Sequence, residues 1–237
     1  MFSSKKFILV TVKKIITGLI LNIFMKNIVF YISLAILLFT TTPIIAEDFN
    51  ETDVKVVVMF GDSITMGGKW DQLFNSDIIA NEGLKSDMTS GFLDRMDDVY
   101  RHQPEIVFIM GGINDIAGGI SPNSIFKNFK TIIRNLRRRG IIPVIQATLY
   151  SRKKAFNPSV ERLNSLLVAY AEKNRIDYID LNATLSTKKK LKRKYTFDGL
   201  HITQKAYLIW KKEIVKVLKK YNFSDFQYAK GRNSLKS

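Results

Sequence analysis

The run Val54-Lys55-Val56-Val57-Val58-Met59-Phe60 ends abruptly at Gly61-Asp62-Ser63-Ile64-Thr65, and this ending constrains the chain more than any other stretch. A near-continuous β-branched run marks a strand buried on both faces, as in a parallel sheet. Gly61 permits a sharp turn at its carboxyl end. In open α/β sheets that end is where ligands bind. A serine placed there is a candidate nucleophile. Asp and Ser are also favoured helix N-caps, so both readings stand on this stretch alone.

From Glu51 onward the pattern alternates strand and helix. Lys55–Phe60, Asp77–Asn81, Glu105–Met110, Ile141–Thr148 and Asp177–Leu181 read as strands. Between them lie the helical stretches 67–74, 89–100, 122–139 and 158–174, and a last helix covers 204–221. In 89–100, Phe92, Leu93, Met96 and Val99 share one face, and in 122–139 Ile125, Phe129, Ile132, Ile133 and Leu136 do so. Gly140 stands where a C-terminal cap belongs. Five strands with intervening helices predict a three-layer α/β/α, flavodoxin-like sandwich around a five-stranded parallel sheet.

The last helix carries Ala206, Ile209, Trp210, Val217 and Leu218 against several lysines. It is expected to pack on the sheet with its lysines in water, the other reading being a membrane-surface helix.

Composition narrows the chemistry. With 46% hydrophobic and 24% charged residues, the 237-residue chain is globular and large enough for one domain with a sizeable core. It has no cysteine, which excludes disulfides, thiolate metal sites, a Cys nucleophile and a lipid-anchored Cys. Its two histidines, His102 and His201, are too few for a His-rich metal site and leave two candidates for a His base. No metal and no organic cofactor are expected.

Residues 1–46 precede the domain. Lys26 is followed by the apolar run Ile28–Phe39, then by Thr-Thr-Thr-Pro and Ile44-Ile45-Ala46. This describes a secretory signal peptide, with an uncleaved anchor over residues 28–46 as the competing reading. Met25-Lys26-Asn27 resembles a natural start. The expected organisation is a leader or anchor (1–46), one domain (51–221) and a polar tail (222–237). The expected location is exported, periplasmic or secreted, or else membrane-associated through that N-terminal segment.

Polar groups gather after the strands: Gly61-Asp62-Ser63, then Asn81 to Asp87, then Gly111-Gly112-Ile113-Asn114-Asp115, and finally Asp198-Gly199-Leu200-His201. In their order and placement these residues resemble the SGNH (GDSL) hydrolase family over roughly Val54 to Leu218. The resemblance implies a flavodoxin-like fold and serine ester hydrolysis. It implies Ser63 as nucleophile, Asp198 and His201 as the other triad members, and an oxyanion hole made by the backbone N–H of Ser63, a second backbone N–H and the Asn114 side chain. The family's second donor is normally a glycine; here the position carries Ser86, in Ser86-Asp87-Met88-Thr89. A backbone donor survives that change, but a Cβ imposes strain if φ is positive.

The chemistry agrees with those roles. A serine hydroxyl needs an adjacent base. A carboxylate three residues before a histidine can orient one ring nitrogen and leave the other for the serine. His102, between a helix and a strand, is expected to be an exposed loop histidine far from the site. Asp62 and Asp115 are expected to hold their turns.

Net charge is +16, and without residues 1–46 the chain still has 32 basic against 21 acidic residues. The densest run, Lys188-Lys189-Lys190-Leu191-Lys192-Arg193-Lys194, immediately precedes Tyr195-Thr196-Phe197-Asp198. It is either a solvated face or a border of the site that draws anionic substrates. No nucleic-acid motif accompanies the charge, so no nucleic-acid partner is expected. The reading is an exported serine esterase for small-molecule or glycan esters, with O-acetyl groups on a carbohydrate foremost. A lysophospholipase or thioesterase for longer acyl chains and a weakly active glycan-binding envelope protein are the alternatives.

Overall fold

The structure, a computed structural model, describes residues 57–223 together with Gly18 and residues 25–28, which are helical. The segment expected to be a leader or anchor lies almost wholly outside the described residues, as does most of the polar tail. Asp53–Ser237 forms one compact unit. Among the described residues, no helix is long and apolar enough to cross a membrane.

The unit is built on five parallel strands, β1 (Val57–Gly61), β2 (Ile79–Gly83), β3 (Ile106–Met110), β4 (Ile142–Gln146) and β5 (Asp177–Ile179), in the order β2-β1-β3-β4-β5. Central β1 and β3 are buried along their whole length, which is why their sequences read as unbroken apolar runs. Their register sets Gly61 beside Met110. The chain steps from β1 outward to β2, then returns past β1 to β3. The strand order thus reverses between β1 and β3, where open α/β sheets form their ligand crevice.

The helices are α1 (Ser63–Met66), α2 (Trp70–Phe74), α3 (Thr89–Asp94), α4 (Met96–Arg101), α5 (Ile113–Ala117), α6 (Pro122–Arg138), α7 (Asn157–Asn174), α8 (Asn182–Leu185) and α9 (Gln204–Lys220). A short antiparallel hairpin, β6 (Ser186–Thr187) with β7 (Lys190–Leu191), follows α8. Helices α3, α6 and α7 pack side by side, and α2 packs with α9. Right-handed crossovers on the two sides of β1 put these groups on opposite faces of the sheet.

Local chemistry sets the ends of α6. The Ser121 hydroxyl accepts from Ser124 N, Pro122 sits in the first turn, and Gly140 follows the helix at φ 75°. Its apolar face is fully buried, as the spacing predicts.

Helix α9 buries Ala206, Tyr207, Trp210, Ile214 and Leu218. Trp210 meets Trp70 edge to face at 4.9 Å and donates to Gln146 Oε1. Its apolar face is therefore spent on the core, as expected. The helical stretch 89–100 departs from expectation in being two helices, broken at Arg95, and the short helices α1, α5 and α8 and the β6–β7 hairpin are additions to the expected elements. The apolar spacing runs on through Arg95 and hides the break.

Candidate active site

Gly61 ends β1 where no side chain fits. A Cβ there would lie 2.1 Å from Thr65 Oγ1 and 2.5 Å from the Met110 carbonyl oxygen. Asp62 follows, buried, and its Oδ1 accepts from Ile64 N at 2.9 Å, capping α1. The cap reading of Gly-Asp-Ser is thus true of Asp62, while Ser63, the first residue of α1, keeps its hydroxyl for another partner. Asn81 donates to the carbonyls of Met66 and Gly68, and Tyr207 to that of Ile64. These bonds hold α1 from both sides.

Ser63 Oγ lies 3.0 Å from His201 Nε2. His201 Nδ1 lies 2.5 Å from Asp198 Oδ2. The other Asp198 oxygen accepts from the backbone N–H of Leu200 and His201 at 2.8 and 2.7 Å. With Nδ1 donating to the carboxylate, Nε2 is left to accept from the serine hydroxyl. The loop is fastened by Thr196, whose hydroxyl donates to the His201 carbonyl and accepts from Gly199 N. Phe197, 73% exposed, stacks beside the imidazole at 5.9 Å. Partial burial works to raise the Asp198 carboxyl, but the bonds from His201 and the two backbone N–H groups together hold it below the usual carboxylate range. Asp62 goes the other way: burial raises it to about 7, against the opposing effects of its bond from Ile64 N and the charge of His201.

The second half of the site is the turn after β2. Leu84 N donates to the Gly61 carbonyl, tying the turn to the end of the strand that leads into Ser63. Ser86 has φ 60°, a left-handed backbone that glycine adopts without strain. Asn114, in the first turn of α5, donates from Nδ2 to the Asp87 carbonyl at 2.8 Å. Asp115 is buried and binds Thr89 through its N–H and its hydroxyl. Both residues of the Asn-Asp pair therefore fasten the turn that contains Ser86, and Asp115 holds local structure as expected. The structure brings Ser63, His201 and Asp198 into one hydrogen-bonded row, and Asn114 and Ser86 to one turn.

Arg95 escapes sequence reading. Only 12% exposed, it pairs through Nε with Asp87 Oδ2 at 2.6 Å and donates from Nη2 to the carbonyls of Gly61 and Glu82. It stacks over Phe60 and lies near Phe92. His102 also differs from expectation. Its side chain is 28% exposed and Nε2 lies 2.6 Å from Glu82 Oε1, because Glu82 reaches it from β2. Among the described residues, no group of three or more His, Asp or Glu is placed to hold a metal. A depression of about 630 Å³ between α6 and α7 is lined by Lys127, Lys130, Arg134, Arg137 and Tyr170 among others and contains none of the site residues.

A serine hydroxyl, an imidazole and a carboxylate in a row at the switch point of a parallel sheet belong to a serine ester hydrolase. The chain belongs to the GDSL-like lipase/acylhydrolase family, whose model matches residues 59–209, more than half of its length. It is similar to a GDSL-like lipase from Bacteroides thetaiotaomicron, 26% identical, with a TM-score of 0.65 over 70% of this chain and 88% of that one. A candidate acylhydrolase from Bacteroides fragilis is 29% identical, with a TM-score of 0.64 over 73% and 89% of the two chains. Among curated proteins it is similar to the N-acylneuraminate cytidylyltransferase of Streptococcus agalactiae, 34% identical over 102 residues, which are 42% of this chain. The match spans about a quarter of that relative's length, 24%.

Proposed function

We propose that this chain is an exported serine esterase that removes small acyl groups, O-acetyl foremost, from a carbohydrate. The observation that carries the reading is the row from Ser63 Oγ through His201 to Asp198. Ser63 attacks the ester carbonyl while His201 Nε2 takes its proton. The backbone N–H groups of Ser63 and Ser86 and the amide of Asn114 receive the oxyanion. His201 then returns the proton to the leaving alcohol, and water, activated by the same imidazole, releases the acid. Asp198, held ionised by its three donors, keeps Nδ1 protonated and stabilises the imidazolium.

The short segments around the row, such as 84–88 and 196–203, leave it open and suit a small acyl group on a bulky alcohol. The name of the Streptococcus agalactiae relative, which refers to an acylated sugar acid, supports a carbohydrate. Export rests on the basic, apolar and small-residue pattern of residues 26–46.

A second reading, a lysophospholipase or thioesterase, draws on exposed Leu84 and Phe197, at 50% and 73%, in the two segments that frame the row. A chain-length series of 4-nitrophenyl esters separates the two. A maximum of kcat/KM at acetate is expected; a maximum at octanoate or beyond would assign the longer-chain reading instead.

A further inference from the structure

The basic run folds into a hairpin that Arg152 links to the loop carrying Asp198 and His201. The hairpin β6–β7 turns through Lys188 and Lys189, at φ 46° and 54°. Both central residues are left-handed, the geometry of a type I′ turn, which normally takes Asn-Gly. Two lysines hold this strained shape because the hairpin is bolted down. Buried Asn157 donates from Nδ2 to the carbonyls of Lys189 and Ser151 and accepts from Ser151 N. Glu161 pairs with Lys189 at 2.6 Å.

Arg152 joins this hairpin to the row. Its backbone N–H donates to the Gly199 carbonyl at 2.7 Å, between Asp198 and His201 in the chain. Its aliphatic stem lies so close over Gly199 that a Cβ there would be 3.0 Å from Arg152 Cβ. Its guanidinium donates to the Leu191 carbonyl at 3.0 Å. The site loop, Arg152 and the hairpin thus form one continuous body.

Positive charge accumulates on this body without an answer. Partial burial first, then the charges of Arg152, Lys154 and Arg193, hold Lys190 below the ordinary lysine range. Glu161 answers Lys189, but among the described residues Arg152, Lys154, Lys190 and Arg193 have no ion pair with an acid. Like charges gathered around Lys190 repel one another until an anion joins them. A solvated lysine face has no need of a strained turn and buried anchors.

We infer that Arg152, Lys190 and Arg193, with Lys154 at their edge, form an anionic subsite beside the Ser63–His201–Asp198 row, and that the acylated substrate carries a carboxylate or phosphate which binds there. This rests on the esterase reading and names its substrate class. The subsite orients the sugar while the row acts on an ester elsewhere on the same molecule. The expected selectivity is about tenfold for a charged over a neutral ester at low ionic strength, falling as salt screens the partly exposed cations.

Binding to the full-length Ser63→Ala variant tests this without turnover. The probes are O-acetylated galacturonic acid, O-acetylated glucose 6-phosphate and neutral O-acetylated galactose, titrated calorimetrically at low and high ionic strength. At least one anionic probe should bind about tenfold tighter than the neutral one at low salt. That ratio should fall toward unity when Lys190→Gln and Arg193→Gln are added, and persist with Lys216→Gln, a lysine on α9 paired with Glu213. The single Lys190→Gln change should lower the ratio partially, and circular dichroism checks that each variant is folded. Equal binding of all three probes, absence of binding by both anions, or a ratio that survives both substitutions would overturn the subsite. Failure of the wild type to hydrolyse 4-nitrophenyl acetate would overturn the esterase reading instead.

Discussion

Arg95 donates from Nη2 to the carbonyl oxygen of Gly61 at 2.9 Å, two residues before Ser63. The same guanidinium binds Asp87, whose own carbonyl receives Asn114. One side chain thereby joins the strand that presents Ser63 to the turn that presents the Ser86 N–H. Arg95 acts by positioning. Arg95→Ala leaves Asp87 and two carbonyls without their donor, and should cost about 3 kcal/mol in denaturant unfolding. It should also lower kcat about 10- to 100-fold with KM little changed, as the turn shifts. Arg95→Lys restores charge but not the fork and should recover little of kcat. A variant that loses stability with kcat intact would make Arg95 purely structural.

Ser86 gives a second expectation. Its left-handed φ of 60° costs a residue with a Cβ on the order of 1 kcal/mol. Ser86→Gly should therefore be as stable as the wild type or more so, and should retain activity because the N–H remains. Ser86→Pro removes the N–H and forbids the φ; its kcat should fall about a hundredfold or more. A loss of activity in Ser86→Ala, measured beside these, would instead assign the work to the hydroxyl.

Asn114 is tied to the Asp87 carbonyl by one N–H of an amide that carries two. Asn114→Ala should reduce kcat by about 10² to 10³, with KM nearly constant, if the amide receives the oxyanion. A rise in KM alone would place it in ground-state binding.

The pH dependence of stability should carry the mark of Asp62. Burial raises its carboxyl from the ordinary 3.8 to about 7, so between those values the folded state holds a proton that the unfolded state releases. This contribution is complete below 3.8 and is lost as pH rises toward about 7, with a slope of up to about 1.4 kcal/mol per pH unit. Asp198 has the opposite sign: its lowered carboxyl contributes above the ordinary carboxylate value and ceases to do so as pH falls below it. Asp62→Asn keeps a good helix cap and should flatten the Asp62 slope in denaturant midpoints followed across pH. An unchanged slope would show that Asp62 is not its source.

These expectations also mark where the sequence was legible. Ser63 and Asn114 follow β1 and β3, whose apolar runs are unmistakable, so their shared edge could be read from the alternation itself. The Asp198–His201 pair lies beyond α8 and the β6–β7 hairpin and was legible only as a carboxylate three residues before a histidine. Arg95 could not be read at all. Two of its partners are main-chain carbonyls, which leave no trace in side-chain identity, and the spacing of Phe92, Leu93, Met96 and Val99 conceals the helix break around it. Four-residue α1 has no periodicity to read. The left-handed φ of Ser86 and of the Lys188–Lys189 turn is a property of backbone shape, visible in sequence only when glycine occupies the position. His102, at the C-terminal end of α4, reads as a free loop histidine in sequence because its partner Glu82 comes from β2, twenty residues earlier.

The central claim is that Ser63 is a nucleophile activated by His201, and covalent labelling with a fluorophosphonate probe tests it most directly. The folded wild type should be modified at Ser63, Ser63→Ala should be unlabelled, and His201→Ala should label at least a hundredfold more slowly. No labelling of the folded wild type, or equal labelling of Ser63→Ala, would contradict the account.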